Sequence, residues 1–168
     1  MPALRMTRAL ITPIFLVAAL ALPGSSAQAQ SKDRLWATVN VCDTAKNPDT
    51  IGLRASMPGT GDSKVKMYLR FRVEYYVARD EEWKTVRKGG DSGWISVGSG
   101  RFVARQSGRS FEFSPAAGNI LLRGRVSYEW RRGKKVVKRA VRRTTAGHTS
   151  SAGADPKGFS ASECLIQQ

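Results

Sequence analysis

Histidine and cysteine are nearly absent from this chain: 168 residues hold one histidine, His148, and two cysteines, Cys42 and Cys164. A zinc centre needs four ligands, or three and an open position, and these residues lack any finger-like spacing, so no metal and no cofactor is expected. Phosphate-loop chemistry is absent as well. The stretch "GTGDSK" at 59–64 lacks the Gly-Lys-Ser/Thr ending and runs from one strand pattern into another, which makes it a turn. His148 has serines and Asp155 near it in "TTAGHTSSAGAD", yet no nucleophile elbow or oxyanion motif accompanies it. A polar loop histidine is therefore expected, and the chain is not expected to be an enzyme. The acidic cluster Asp80, Glu81 and Glu82 has no calcium-loop spacing. Acidic residues are also scarce overall, 13 against 28 lysines and arginines, which leaves a formal charge of +15.

No apolar run reaches the roughly 20 residues that cross a bilayer. The run from Ala9 to Leu22 is broken by Thr12 and Pro13, follows Arg5 and Arg8, and leads to Pro23-Gly24-Ser25-Ser26 and Ala27-Gln28-Ala29. This is the n-region, h-region and A-x-A order of a secretory signal peptide. Residues 1–29 are expected to be cleaved, with no transmembrane anchor left afterwards. Residues 30–168 are then a single domain in the extracellular space or cell envelope. Cysteines in an oxidising compartment pair by default, so Cys42 and Cys164 are expected to form a disulfide. It would tie the first strand to the C-terminal tail, 145–168. Closing a loop of about 120 residues stabilises by about 4 to 5 kcal/mol on chain-entropy grounds.

What is present is strand periodicity. From Val65 to Val77, the residues Val65, Met67, Leu69, Phe71, Val73, Tyr75 and Val77 take every second position, with Lys66, Tyr68, Arg70, Arg72, Glu74 and Tyr76 between them. Shorter alternations occur at 35–41, 51–57, 94–97, 111–113 and 122–130. Turn chemistry separates them at 47–49, 58–62, 89–91, 98–100 and 115–119. About seven strands at this spacing predict an all-β antiparallel sandwich. Trp36, Trp83, Trp94, Tyr68 and Tyr76 are expected in the core or on a sheet face, with a sugar-stacking platform as the functional alternative.

The segment "GKKVVKRAVRR", 133–143, fits two periods. On a helix Val136, Val137, Ala140 and Val141 would share a face. The helix would be short, uncapped, and would carry Lys134 and Lys135 at its positive end. A hairpin turning at Gly133-Lys134 is preferred. Its simplest register sets Trp130 opposite Val137, Val126 opposite Val141 and Glu129 opposite Lys138, with Val126, Tyr128, Val137 and Val141 facing the core. Arg125, Lys138 and Arg142 would then be outward neighbours. Arg139 and Arg143 could snorkel from an edge strand.

The stretches "VKMYLRFRVEYYV", "SFEFSP", "LLRGRVSYEWRR" and "KKVVKRAVRRT" resemble strands C, E, F and G of an immunoglobulin-like or fibronectin type III-like sandwich. With "ATVNVCDT", "IGLRASMPGTG", "DSGW", "TTAGH" and "ADPKGFSA", nearly the whole mature chain is similar to small secreted proteins of that type from high-GC Gram-positive bacteria, which have no assigned activity. The resemblance implies a fold and a compartment rather than a chemistry. The cysteines depart from the antibody pattern, lying at the two ends of the chain and not on strands B and F.

Charge carries the functional content. Residues 123–143 hold ten basic side chains against the single acid Glu129. A local patch of one sign attracts polyanions and steers their encounter. The expectation is a non-catalytic binding module of the envelope or extracellular space. Its candidate polyanion-binding residues are Arg123, Arg125, Arg131, Arg132, Lys134, Lys135, Lys138 and Arg142. An anionic envelope polymer or an acidic protein is the expected partner, and nucleic acid is not expected as a physiological one. The alternative is a structural or assembly protein that docks a partner protein by its sheet edge with no polyanion ligand; the blander reading of the charge is an edge protected against pairing.

Overall fold

The computed structural model describes residues 34–113 and 118–167. The segment read as a signal peptide, and most of the turn expected at 115–119, lie outside the described residues. The described residues form nine strands: β1 (Trp36–Thr44), β2 (Asn47–Pro58), β3 (Val65–Val77), β4 (Glu82–Thr85), β5 (Ile95–Ser99), β6 (Ala104–Glu112), β7 (Ile120–Arg132), β8 (Lys135–Arg143) and β9 (Glu163–Ile166). The first sheet runs β1-β2-β6. The second runs β4-β3-β7-β8, with β5 also on β3 and β9 also on β7. Every strand pair is antiparallel, as an all-β sandwich requires.

Alternation in β3 becomes burial directly. Val65, Met67, Leu69, Phe71 and Val73 are inside, packed with Ile51, Leu53, Ala55 and Met57 of β2 and with Leu122, Val126, Tyr128 and Trp130 of β7. Each of the larger side chains gains about 1.5 to 3 kcal/mol by leaving water. The two polar aromatics satisfy themselves there: Tyr128 donates its hydroxyl to the Trp36 carbonyl at 2.7 Å, and Trp130 its indole N–H to that of Pro58 at 2.9 Å. Gly124 leaves space that a side chain would deny, since a Cβ there would stand 2.7 Å from both Leu53 and Thr144.

Two strands beyond the expected seven come from short or polar sequence. β4 is four residues opposite Tyr76 and its neighbours, and β9 is four residues beside the start of β7. In β6, only Phe111 is fully buried, so most of this edge strand has no apolar pattern.

β1 departs from simple alternation. Val39 lies opposite Leu53, Val41 lies opposite Gly52, and Asn40 is the extra residue between them. A bulge of this kind reverses the facing of the strand residues beyond it. Val41 therefore leaves the inner face and packs over Gly52, where a Cβ would approach its side chain to 2.7 Å. Cys42 turns inward, within reach of β9.

The tail closes the side of the sandwich bounded by β1. Val39 and Ala161 exchange two backbone hydrogen bonds of 3.0 Å, Thr145 N–H reaches the Ala37 carbonyl, and Asp155 N–H reaches that of Asn40. The chain then enters β9, which follows β8 along the same flank of β7. The Cys42–Cys164 disulfide, with a Cα–Cα distance of 5.3 Å, ties β9 to β1.

Candidate polyanion-binding surface

The hairpin is formed, with Gly133 and Lys134 as its two turn residues and Arg132 opposite Lys135. Gly133 has φ 56°, the left-handed backbone that glycine adopts without steric cost. The register beyond the turn differs from the simplest one. Arg131 faces Val136 and Trp130 faces Lys138, so Val137 is an extra residue in β8. From that bulge onward every pair is displaced by one: Glu129 faces Arg139, not Lys138, and Val126 faces Arg142, not Val141.

The displacement overturns the expected facing of four cations and two valines. Lys138, Ala140 and Arg142 share the inward rows of Trp130, Tyr128 and Val126, whereas Arg139, Val141 and Arg143 join the outer face. Val137 and Val141 are 47% and 44% exposed and do not belong to the core. Arg125, Lys138 and Arg142 are thus not neighbours on one face. The edge lies close enough to water for the inward cations to snorkel, the Lys138 ammonium standing 4.9 Å from the Trp130 ring centre.

On the outer face of the second sheet, strand alternation brings Arg123, Arg125, Ser127, Glu129 and Arg131 of β7 out together. Three of the candidate residues are neutralised. Arg123 donates from Nε to Glu74 at 2.8 Å and lies 4.1 Å above the ring of Trp83, which itself packs on Tyr76. Arg131 donates to Glu129 at 2.7 Å and lies between Tyr68 and Trp94, 4.3 and 4.9 Å from their ring centres. Arg132 pairs with Asp62. Arg139 takes the other oxygen of Glu129 at 3.0 Å. Burial opposes ionisation of Glu129, but the hydrogen bonds from Arg131 and Arg139 outweigh it and hold the carboxyl below its ordinary range.

Among the described residues, no carboxylate lies within ion-pair distance of Arg125, Lys134, Lys135, Lys138, Arg142 or Arg143. Arg125 sits at the centre of a feature invisible along the chain. Arg72 of β3 is directly opposite it on one side and Arg143 of β8 on the other, making a row of three arginines across three strands. Neighbouring strands are about 4.8 Å apart, so the row spans about 10 Å. Only Arg72 has an acid, Asp91, and shares it with Arg70, which donates from Nε at 2.8 Å. Hydrogen bonds from Arg70, with help from Gly93 N–H and Arg72, push the Asp91 carboxyl down to about 2 against its partial burial.

Sequence reasoning missed Arg72 and Arg143 as binding candidates. Their signal is the β3–β7–β8 register, which three charged positions separated by 53 and 18 residues do not reveal along the chain.

The remaining motifs have local partners. His148 stacks on Trp36 with ring centres 4.5 Å apart, and its Nε2 is 3.1 Å from the Thr145 hydroxyl. The Asp155 carboxylate accepts from Thr44 and Asn47. In the 59–64 turn the N–H groups of Thr60 and Gly61 both donate to the Gly100 carbonyl. Asp80 holds Arg79 and Lys84. Among the described residues no three His, Cys, Asp or Glu side chains come together as a metal site, and no helix is long and apolar enough to cross a membrane.

No family model, curated protein or solved structure matches the chain.

Proposed function

We propose that the protein is an exported, non-catalytic binding module of the cell envelope or extracellular space that captures an anionic polymer on the outer face of its second sheet and on the adjoining hairpin. The Arg72–Arg125–Arg143 row carries this proposal. Like charges directly opposite on neighbouring strands cost stability, each pair by roughly 0.2 to 1 kcal/mol. An anion bridging the row offsets that cost, and the free cations Lys134 and Lys135 at the turn extend the positive track. Export is supported by the n-region, h-region and A-x-A order at 1–29, together with the disulfide between Cys42 and Cys164. Placing β3, β7 and β8 as strands C, F and G of one sheet, with β6 as strand E of the other, agrees with the immunoglobulin-like and fibronectin-like arrangement.

The test is retention on an immobilised polyuronate, followed against salt, with duplex DNA as a second polyanion. Binding should fall steeply as salt rises, because each neutralised anion releases counterions. The double variant Arg125→Glu, Arg143→Glu should lose at least about tenfold in affinity while remaining folded. Retention by the folded variant equal to that of the parent would falsify the assignment. Export is checked separately by the N-terminal sequence of protein recovered outside the cell, which should begin at Gln30.

One observation favours a second function, docking of a partner protein along the sheet edge at β8. That strand is an outer strand of its sheet, and Val137 and Val141 are exposed on it. Capture of one protein that resists salt and is unchanged by Arg125→Glu would select it.

A further inference from the structure

The outer face of the first sheet is built differently. Outward positions of β2 include Gly52 and Arg54, and the β6 residues opposite them are Ser110 and Gly108. Neither glycine leaves open space: Val41 sits over Gly52 and the Arg54 side chain over Gly108, close approaches to the backbone that strand glycines allow. The tail forms the far wall: Asn40 Nδ2 donates to the carbonyls of Ala152 and Gly153 at 3.2 and 2.9 Å and fixes them above the sheet. The result is an open cleft of about 200 Å³ with Asn40, Val41, Arg54, Gly108, Ser110 and Gly153 in its lining.

Arg54 is the unusual member. It is half-buried, its chain lies across Gly108, and a Cβ on that glycine would be 3.0 Å from its Cδ. Among the described residues, no carboxylate is within ion-pair distance of it. Its Nε makes one long contact, 3.4 Å, to Gln106 Oε1, an oxygen that also accepts from Ala152 N–H. Burial disfavours its charged form, yet a guanidinium stays protonated. A partly desolvated cation without a counter-ion costs stability that a bound anion restores.

We propose that this cleft is a second site, separate from the arginine row, which takes a single terminal acid group, carboxylate or phosphate, on the paired N–H fork of Arg54 with the Ser110 hydroxyl beside it. The room available fits the end of a ligand, not a polymer lying across the sheet, so this site selects a chain end or a small acid.

Amide chemical shifts of the disulfide-bonded protein, titrated with sodium phosphate and separately with sodium acetate at ionic strength held constant with chloride, test the proposal and distinguish the two acid classes. Saturable shifts at Gly108, Ser110, Ala152 and Gly153, with a Kd on the order of millimolar, are expected for at least one anion. Arg54→Gln should weaken that binding at least about tenfold, and Arg125→Glu, Arg143→Glu should leave it unchanged. Should Arg54→Gln fail to fold, Arg54→Lys keeps the charge and removes the fork, and it should still weaken binding. Unsaturated shifts scattered over the basic surface, no shifts at all, or undiminished affinity in a folded Arg54 variant would overturn the assignment.

Discussion

The strands β1 and β8 face the same management problem and solve it in opposite ways. Each pairs with a single long neighbour and has a second flank with free N–H and C=O groups, a template for unwanted pairing. The flank of β1 is covered: the tail bonds to Ala37, Val39 and Asn40, and the disulfide fastens the cover. β8 has no such cover among the described residues, and five of its nine residues are lysine or arginine. Two copies of β8 would repel, so charge alone guards this edge. Edge protection accounts for Lys135, Lys138 and Arg139. It does not account for Arg125 on the second strand or Arg72 on the third, which lie away from any free edge. The difference separates a charged edge from a charged surface, and the surface requires a further cause.

Breaking the covered side should have the largest effect. Replacing Cys42 and Cys164 with alanine restores the freedom of a loop of about 120 residues, and the expected loss is about 4 kcal/mol, measured as a lower denaturant midpoint. Because β9 and the β1 flank lose their fastening together, amide exchange should accelerate at Val39, Ala161 and Leu165 more than at Leu69 or Val126.

The outer face of the second sheet should respond next. Glu129 is 10% exposed and satisfies both Arg131 and Arg139. Glu129→Gln keeps its shape and leaves two guanidiniums without a counter-ion, for an expected loss of about 2 kcal/mol by denaturant unfolding. Acid titration offers a smaller version. The folded-state pKa of Asp91, about 2, lies below its ordinary value of 3.8. The unfolded chain therefore binds more protons in that window, and stability rises with pH there. The contribution is present above about pH 4 and is lost as pH falls through about 2. With both partners about 30% exposed, it should amount to about 1 kcal/mol, and Asp91→Asn should flatten that part of the stability curve.

Sequence legibility divides along the same line. β3 is readable because the alternation of Val65 to Val73 is strict and its inner rows are fully buried. The disulfide is readable from the signal-peptide pattern at 1–29 and an even cysteine count. The two bulges are not. An extra residue at Asn40 or Val137 leaves composition and local propensity unchanged, yet each reverses the facing of the residues beyond it: Val41 moves to the outer face, and Lys138 and Arg142 to the inner rows. The pairing of β9 and the polar run of β6 are also hidden, because neither buries enough apolar residues to show a period. Of the eight candidate binding residues, Arg125 holds the centre of the row. Its partners are unreadable because pairing across a sheet is a property of register and not of spacing along the chain.

The smallest expected effect bears most directly on why the arginine row exists. Arg125→Ser removes the middle charge of the row, keeps a residue suited to the outer face of a strand, and touches no ion pair among the described residues. If Arg72, Arg125 and Arg143 are held only by the register, removing the centre relieves two opposed like-charge contacts and should raise stability by about 0.5 kcal/mol at low salt. The gain should shrink as salt screens the guanidiniums. Retention on the polyuronate should fall in the same variant. A gain in stability paired with a loss of binding is the signature of a charge retained for a ligand and not for the fold. A loss of stability would instead mean that Arg125 contributes packing to the sheet face, and the row would then need no anion to explain it.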